Sequence, residues 1–126
     1  MKDEMKACAE PRDLRIRTME LVLRIIRIYA KLPKTTEAQV LGKQVLRAGT
    51  SVGANYREAS RSRSKAEFVA KIGDCLKELD ETDYWLELLA ESIIPAKVKL
   101  TSLRNECNEL LAIFTAISKK AKANAS

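Results

Sequence analysis

Residues 44–68 read QVLRAGTSVGANYREASRSRSKAEF, and the division of this stretch decides the fold. Its first half contains the small-residue run Ala48-Gly49-Thr50-Ser51-Val52-Gly53-Ala54. Its second half gathers Arg57, Arg61, Arg63 and Lys65, and it closes on Ser64-Lys65-Ala66-Glu67. That tetrapeptide has the spacing of a capping box, in which serine and a glutamate three residues later satisfy free amides at a helix start. The stretch therefore predicts two helices that meet at a positively charged corner. Two glycines inside the first helix would each cost about 1 kcal/mol relative to alanine. Close approach of another helix to Gly49, Ser51 and Gly53 is the expected compensation. A cofactor cradle is the sharper alternative, but no strand precedes the run and the GxGxxG spacing is missing.

Working outward, Leu41, Val45, Ala48, Val52, Asn55 and Ala59 mark the inward face of a helix. It opens at the Thr36-to-Gln39 cap and ends near Ser60. Upstream, Leu14, Thr18, Leu21, Ile25, Ile28 and Leu32 alternate steps of four and three, predicting a helix from about Arg12 to Lys31. Met19, Val22, Ile26 and Tyr29 form a second stripe, and Leu32-Pro33 stops the segment. Downstream of the capping box, Val69, Ile72, Leu76, Leu79, Asp83 and Leu86 follow at heptad spacing, with Phe68, Cys75, Thr82 and Leu89 alongside. Ser92 to Pro95 breaks this helix. Leu100, Leu103, Cys107, Leu110, Phe114 and Ile117 define the last and cleanest one. Matched lengths and short connections predict an antiparallel up-down-up-down four-helix bundle, with residues 12–120 as one domain between an N-terminal tail, 1–11, and a frayed C-terminal tail, 121–126.

Composition agrees with this all-α reading: 126 residues, 46% hydrophobic and 32% charged, with only four glycines and three prolines. No apolar run reaches the roughly 20 residues of a membrane-spanning helix, and the polar N-terminus has no secretory pattern, so a cytoplasmic protein is expected. The chain contains no histidine, which removes Ser-His-Asp and Cys-His catalysis, HExxH zinc sites and Glu-x-x-His di-iron sites. Gly42-Lys43-Gln44 lacks the rest of a phosphate loop. No catalytic residue, metal site or cofactor is expected. Cys8, Cys75 and Cys107 are too few and too scattered for a disulfide framework, and the latter two read as small hydrophobes.

Charge is segregated. Residues 66–91 hold eight acids and two cations, a net charge of −6, whereas residues 1–36, 37–65 and 92–126 each carry +4. Arg47, Arg57, Arg61, Arg63 and Lys65 are the candidate phosphate contacts, since a repeated basic corner would attract an RNA or DNA backbone. Cations at a helix C-terminus are also favoured by the helix dipole alone. Pairing of these arginines with the acidic third helix of a neighbouring subunit is the competing expectation. Asn55 and Asp83 are polar at inward positions and need partners if buried; such residues fix register or oligomeric state. Glu58 could join the Asn55 network. Trp85 is expected at an interface, and Tyr84 is a candidate for stacking on a base. The first and third helices carry apolar residues over more than one seam, which predicts homo-oligomerisation.

Gln44, Arg47, Ala48, Ser51, Val52, Asn55, Glu58, Arg61, Ser64, Glu67 and Phe68, continuing into Leu76, Glu78 and Leu79, resemble the four-helix bundle family of 23S rRNA intervening-sequence-encoded proteins. The resemblance spans about Leu14 to Ile117. Where many members read Asn-Ile-Ala-Glu-Gly, this chain has Asn55-Tyr56-Arg57-Glu58-Ala59. The resemblance implies a homopentamer of antiparallel bundles. A related branch, the accessory variability protein of diversity-generating retroelements, forms a basic pentameric barrel and binds nucleic acid and a reverse transcriptase. It thereby implies a nucleic acid and a reverse transcriptase as partners. The expectation is a non-enzymatic oligomer that binds RNA or DNA, with a protein-interaction scaffold as the alternative.

Overall fold

The computed structural model describes residues 11–92 and 97–125. Four helices follow in order: α1 (Pro11–Ala30), α2 (Thr36–Ser60), α3 (Lys65–Ser92) and α4 (Lys97–Ala125). The expected break at Ser92 to Pro95 falls almost wholly outside the described residues, as does Cys8. Among the described residues there is no strand, and no helix is long and apolar enough to cross a membrane.

Each boundary has a local cause. At the end of α1, the Lys31 and Leu32 amides donate to Ile28 and Tyr29 carbonyls, tightening the last turn before Pro33. The cap of α2 sits one residue earlier than its sequence suggests: Thr35, not Thr36, is extended, and its Oγ1 accepts from the Ala38 amide. Gln39 instead donates to the Pro33 carbonyl and accepts from the Tyr29 hydroxyl, tying the turn to α1. The α4 helix continues through Ala125, beyond the lysines at 119, 120 and 122, because no glycine or proline interrupts it.

All four helices contribute to one core. Leu14, Leu21 and Ile25 of α1, Val45 and Val52 of α2, Ile72, Leu79 and Leu86 of α3, and Leu103, Leu110 and Phe114 of α4 are almost wholly shielded. Consecutive helices make the main contacts, and α1 meets α4 along a thinner seam. A Cβ on Gly42 would meet Tyr29, one on Gly49 would run into Ile25, and one on Gly53 would lie 3.3 Å from Val22. Residue numbers thus rise along α1 as they fall along α2. Between α2 and α3 the pattern is the same, with Arg47 near Glu81 and Glu58 near Lys71.

Two inward assignments shift. Tyr56, one residue after Asn55, occupies the core position, its ring 5.5 Å from that of Phe114, while Asn55 is half-buried. The buried face of α3 is Ile72, Cys75, Leu79, Thr82, Leu86 and Leu89, drawing on both expected stripes. Thr82 enters the core because its hydroxyl donates to the Glu78 carbonyl one turn back, 2.7 Å away. Thr18 does the same to Leu14. Asp83 lies beside the core, half-buried, rather than in it.

Candidate functional site

The basic corner is built by the turn between α2 and α3. Arg61 caps α2, its amide donating to the Ala59 and Glu58 carbonyls. The Ser62 amide follows to the Ala59 carbonyl. Ser64 Oγ accepts from the Glu67 amide at 3.1 Å, as the capping-box spacing predicts. The Glu67 carboxylate, however, accepts from the Arg63 amide rather than that of Ser64, one residue beyond the standard box. No described residue has a positive φ, so the turn closes with Ala59 and no glycine in the left-handed region. The reversal is rigidly bonded and leaves the Arg61 and Arg63 side chains outside.

Ion pairing divides the cations into two groups. Arg17 reaches across from α1 to Glu106 of α4 through two hydrogen bonds of 3.0 and 2.7 Å, and also touches Glu109. Arg104 forks onto Asp83 at 2.7 and 3.3 Å and approaches Glu87. This supplies the partner that the half-buried Asp83 requires. Lys71 pairs with Glu58 at 2.5 Å, so Glu58 is held across to α3. Arg47 is held by Glu81 at 2.6 Å and Glu78 at 3.5 Å, both on α3 of its own chain. The hydrogen bond from Arg47 holds the Glu81 carboxyl below its ordinary range, and Glu106 and Asp83 similarly raise Arg17 and Arg104.

Arg57, Arg61 and Arg63 fall in the second and larger group: all are exposed and, like Arg15, Arg27, Lys43 and Lys77 among others, none has a carboxylate partner among the described residues. Lys65 Nζ donates to the backbone carbonyl of Asn124, 3.0 Å away near the end of α4. That bond brings the α2–α3 turn against the C-terminal turns of α4. Between them lies a cavity of about 680 Å³. Its apolar wall includes Leu14, Phe68 and Ile117, and its rim carries Arg63, Lys65 and Lys120. Among the described residues no acidic side chain lines it.

The cations of the turn are legible in the sequence, whereas Lys120 is not, because its run with Lys119 and Lys122 is also what a helix dipole favours. Phe68, read as a packing residue, is half-buried and reaches this cavity as well as the core. Tyr84 is 53% exposed and edge-on to Trp85, with ring centroids 5.1 Å apart. It lies about 28 Å from Lys65 along α3, too far to serve the same corner. Trp85 packs partly against the core. Cys75 and Cys107 are completely shielded, and burial pushes both thiols up to about 12, so neither is a nucleophile at neutral pH. Among the described residues no cluster of His, Cys, Asp or Glu is arranged to hold a metal ion.

These features define a four-helix all-α protein with a basic corner at one helix–helix turn. The family model described as 23S rRNA-intervening sequence protein matches residues 13–116, and the chain belongs to that family. It is also similar to a crystal structure from Bacteroides thetaiotaomicron, described as a protein of unknown function from the S23 ribosomal protein family. That likeness has a TM-score of 0.80 and 36% identity, and covers 86% of this chain and 97% of the other. No functionally curated protein matches the chain.

Proposed function

We propose that this chain is a non-enzymatic, cytoplasmic protein whose antiparallel up-down-up-down bundles assemble into a homo-oligomer, a pentamer by family resemblance, and that the assembly binds the phosphate backbone of RNA or DNA. The observation that carries the reading is the division of the cations. Arg17, Lys71, Arg104 and Arg47 are engaged by carboxylates of their own chain, whereas Arg57, Arg61 and Arg63 are not. Other surface cations are also unpaired, and what sets these three apart is their succession from the last turn of α2 into the connecting turn. A cation that neutralises a phosphate releases a counterion condensed on the nucleic acid, and one already held by a carboxylate must first give up that partner. With Arg47 held by α3, the contacts fall to Arg57, Arg61, Arg63 and Lys65. Oligomerisation multiplies the corner and sums its field.

The test is the salt dependence of binding to a mixed RNA pool. Each phosphate contact contributes roughly 0.7 to 0.9 to the slope of log K against log salt. Four contacts per bound subunit therefore predict a slope of about −3, reduced to about −1.5 in Arg61→Glu/Arg63→Glu with the oligomer intact. Binding that ignores salt, or no binding at low salt, refutes the proposal. Dissociation of the oligomer in the double variant supports the scaffold reading instead, in which these arginines meet the acidic α3 of a neighbour.

A further inference from the structure

The cavity beside the basic corner differs from the corner itself in having an apolar interior. A phosphate backbone needs only exposed cations, and Arg57 and Arg61 provide them on the helix end and turn. The cavity adds a Phe68 ring and aliphatic walls from Leu14 and Ile117 beneath a rim of Arg63, Lys65 and Lys120. Those three cations come from the turn, the start of α3 and the end of α4, so the tertiary fold assembles the rim. The carboxylate nearest in sequence, Glu67, is occupied by the Arg63 amide. At about 680 Å³ the cavity lies within the usual range for pockets that enclose a small organic group.

We propose that this cavity receives one unpaired nucleotide of a single-stranded nucleic acid, its base against Phe68 and its phosphate on Arg63, Lys65 and Lys120. The inference rests on the backbone-binding reading and narrows it from any nucleic acid to a single strand. A base in a duplex is stacked on both faces and hydrogen-bonded at its edge, so it reaches a recessed ring only by being extruded. An unpaired base has no such cost, and base–aromatic stacking has little sequence preference because every base presents a π-face. The adjacent Arg57 and Arg61 continue the positive surface that the flanking phosphates follow. Lys65, bonded in the free protein to the Asn124 carbonyl, exchanges that acceptor for phosphate on binding.

The experiment compares a labelled 12-nucleotide RNA strand with the same strand annealed to its complement, using full-length protein at one fixed low salt concentration and fluorescence anisotropy. The single strand should bind about tenfold more tightly, within the range that stacking one base supplies. Phe68→Leu keeps apolar volume against the core but removes the ring; it should abolish most of this preference while leaving duplex affinity unchanged. Ala121→Trp, which fills the cavity from its α4 wall, should do the same without touching the α3 side of the core. Arg57→Ser should weaken both ligands alike. Equal affinity of the wild-type protein for both RNAs overturns the inference and leaves backbone binding standing, as does a preference retained when Ala121→Trp is folded. Failure to bind either RNA overturns both.

Discussion

Cys75 and Cys107 hold their thiols in the core, and each contributes to stability through its protonation state. Cys75 Sγ lies 3.8 Å from the Val52 carbonyl, and both thiols are pushed up to about 12, first by burial. Burial also lifts the Tyr56 hydroxyl to about 12. A folded-state pKa above the unfolded value favours the native state below the unfolded pKa, near 9 for a thiol. The advantage disappears as pH rises through the folded value. Stability should therefore decline between about pH 9 and 12, by at most about 1.4 kcal/mol per pH unit for each thiol. Urea unfolding at pH 8 and pH 10.5 measures the decline. Cys75→Ala/Cys107→Ala should be less stable at pH 8 through its cavities, yet lose less between the two pH values. An equally steep loss would place the alkaline sensitivity elsewhere.

At the scale of the helix, Gly49 and Gly73 have the same intrinsic cost and opposite surroundings. Gly49 lies under the wholly buried Ile25 of α1, whereas a Cβ at Gly73 would meet nothing within 4 Å. Gly73→Ala should thus stabilise the fold by up to about 1 kcal/mol through helix propensity. Gly49→Ala gains the same propensity but forces Ile25 out of its place, an overpacking cost of about 1–3 kcal/mol, for a net change from zero to a loss of about 2 kcal/mol. Denaturant midpoints decide; stabilisation by Gly49→Ala would mean that α1 does not need the glycine to seat. Such contrasts mark the limit of what periodicity reveals. The α4 seam was legible because Leu100, Leu103, Cys107, Leu110 and Phe114 form one stripe, and all are buried; Ile117, expected to continue it, is half-buried, and Ser118 is buried beside it. In α3 two apolar stripes competed, and period alone could not show that a threonine with a carbonyl acceptor one turn back would enter while Asp83 stayed at the edge. Tyr56 escaped notice for a related reason: a tyrosine beside an asparagine gives no periodic signal that the ring, rather than the amide, faces Phe114.

For the whole molecule, the sequence showed how many cations exist but not which are free. Arg47 meets Glu81 only because α2 and α3 pair in one register, and the two are 34 positions apart in the chain. The rim contributed by Lys120 likewise exists only once α4 returns to the α2–α3 turn. The surplus of apolar residues on α1 was legible but not its face: Val22 and Tyr29 are half-buried, and Ile16, Met19, Leu23 and Ile26 turn outward at 51%, 62%, 40% and 43% exposed. Spaced three or four apart, these four form one stripe along the helix, beside a groove lined on α2 by Gly53 and Ala54 and, toward the basic corner, by Arg57. A continuous apolar stripe next to such a groove is a surface on which another helix can seat, and such patches mark interaction sites. If the stripe carries the proposed self-association, Met19→Glu/Leu23→Glu should reduce the mass measured by light scattering to the 14.1 kDa of one chain while helical content is unchanged. Val40→Glu, equally exposed but away from the stripe, should leave the oligomer intact. Raising the salt should not dissociate the wild-type assembly, because apolar burial is not screened, whereas an assembly held by arginines on a neighbour's α3 would weaken. A wild-type mass of 14.1 kDa refutes self-association, and an oligomer that survives both glutamates places its interface elsewhere.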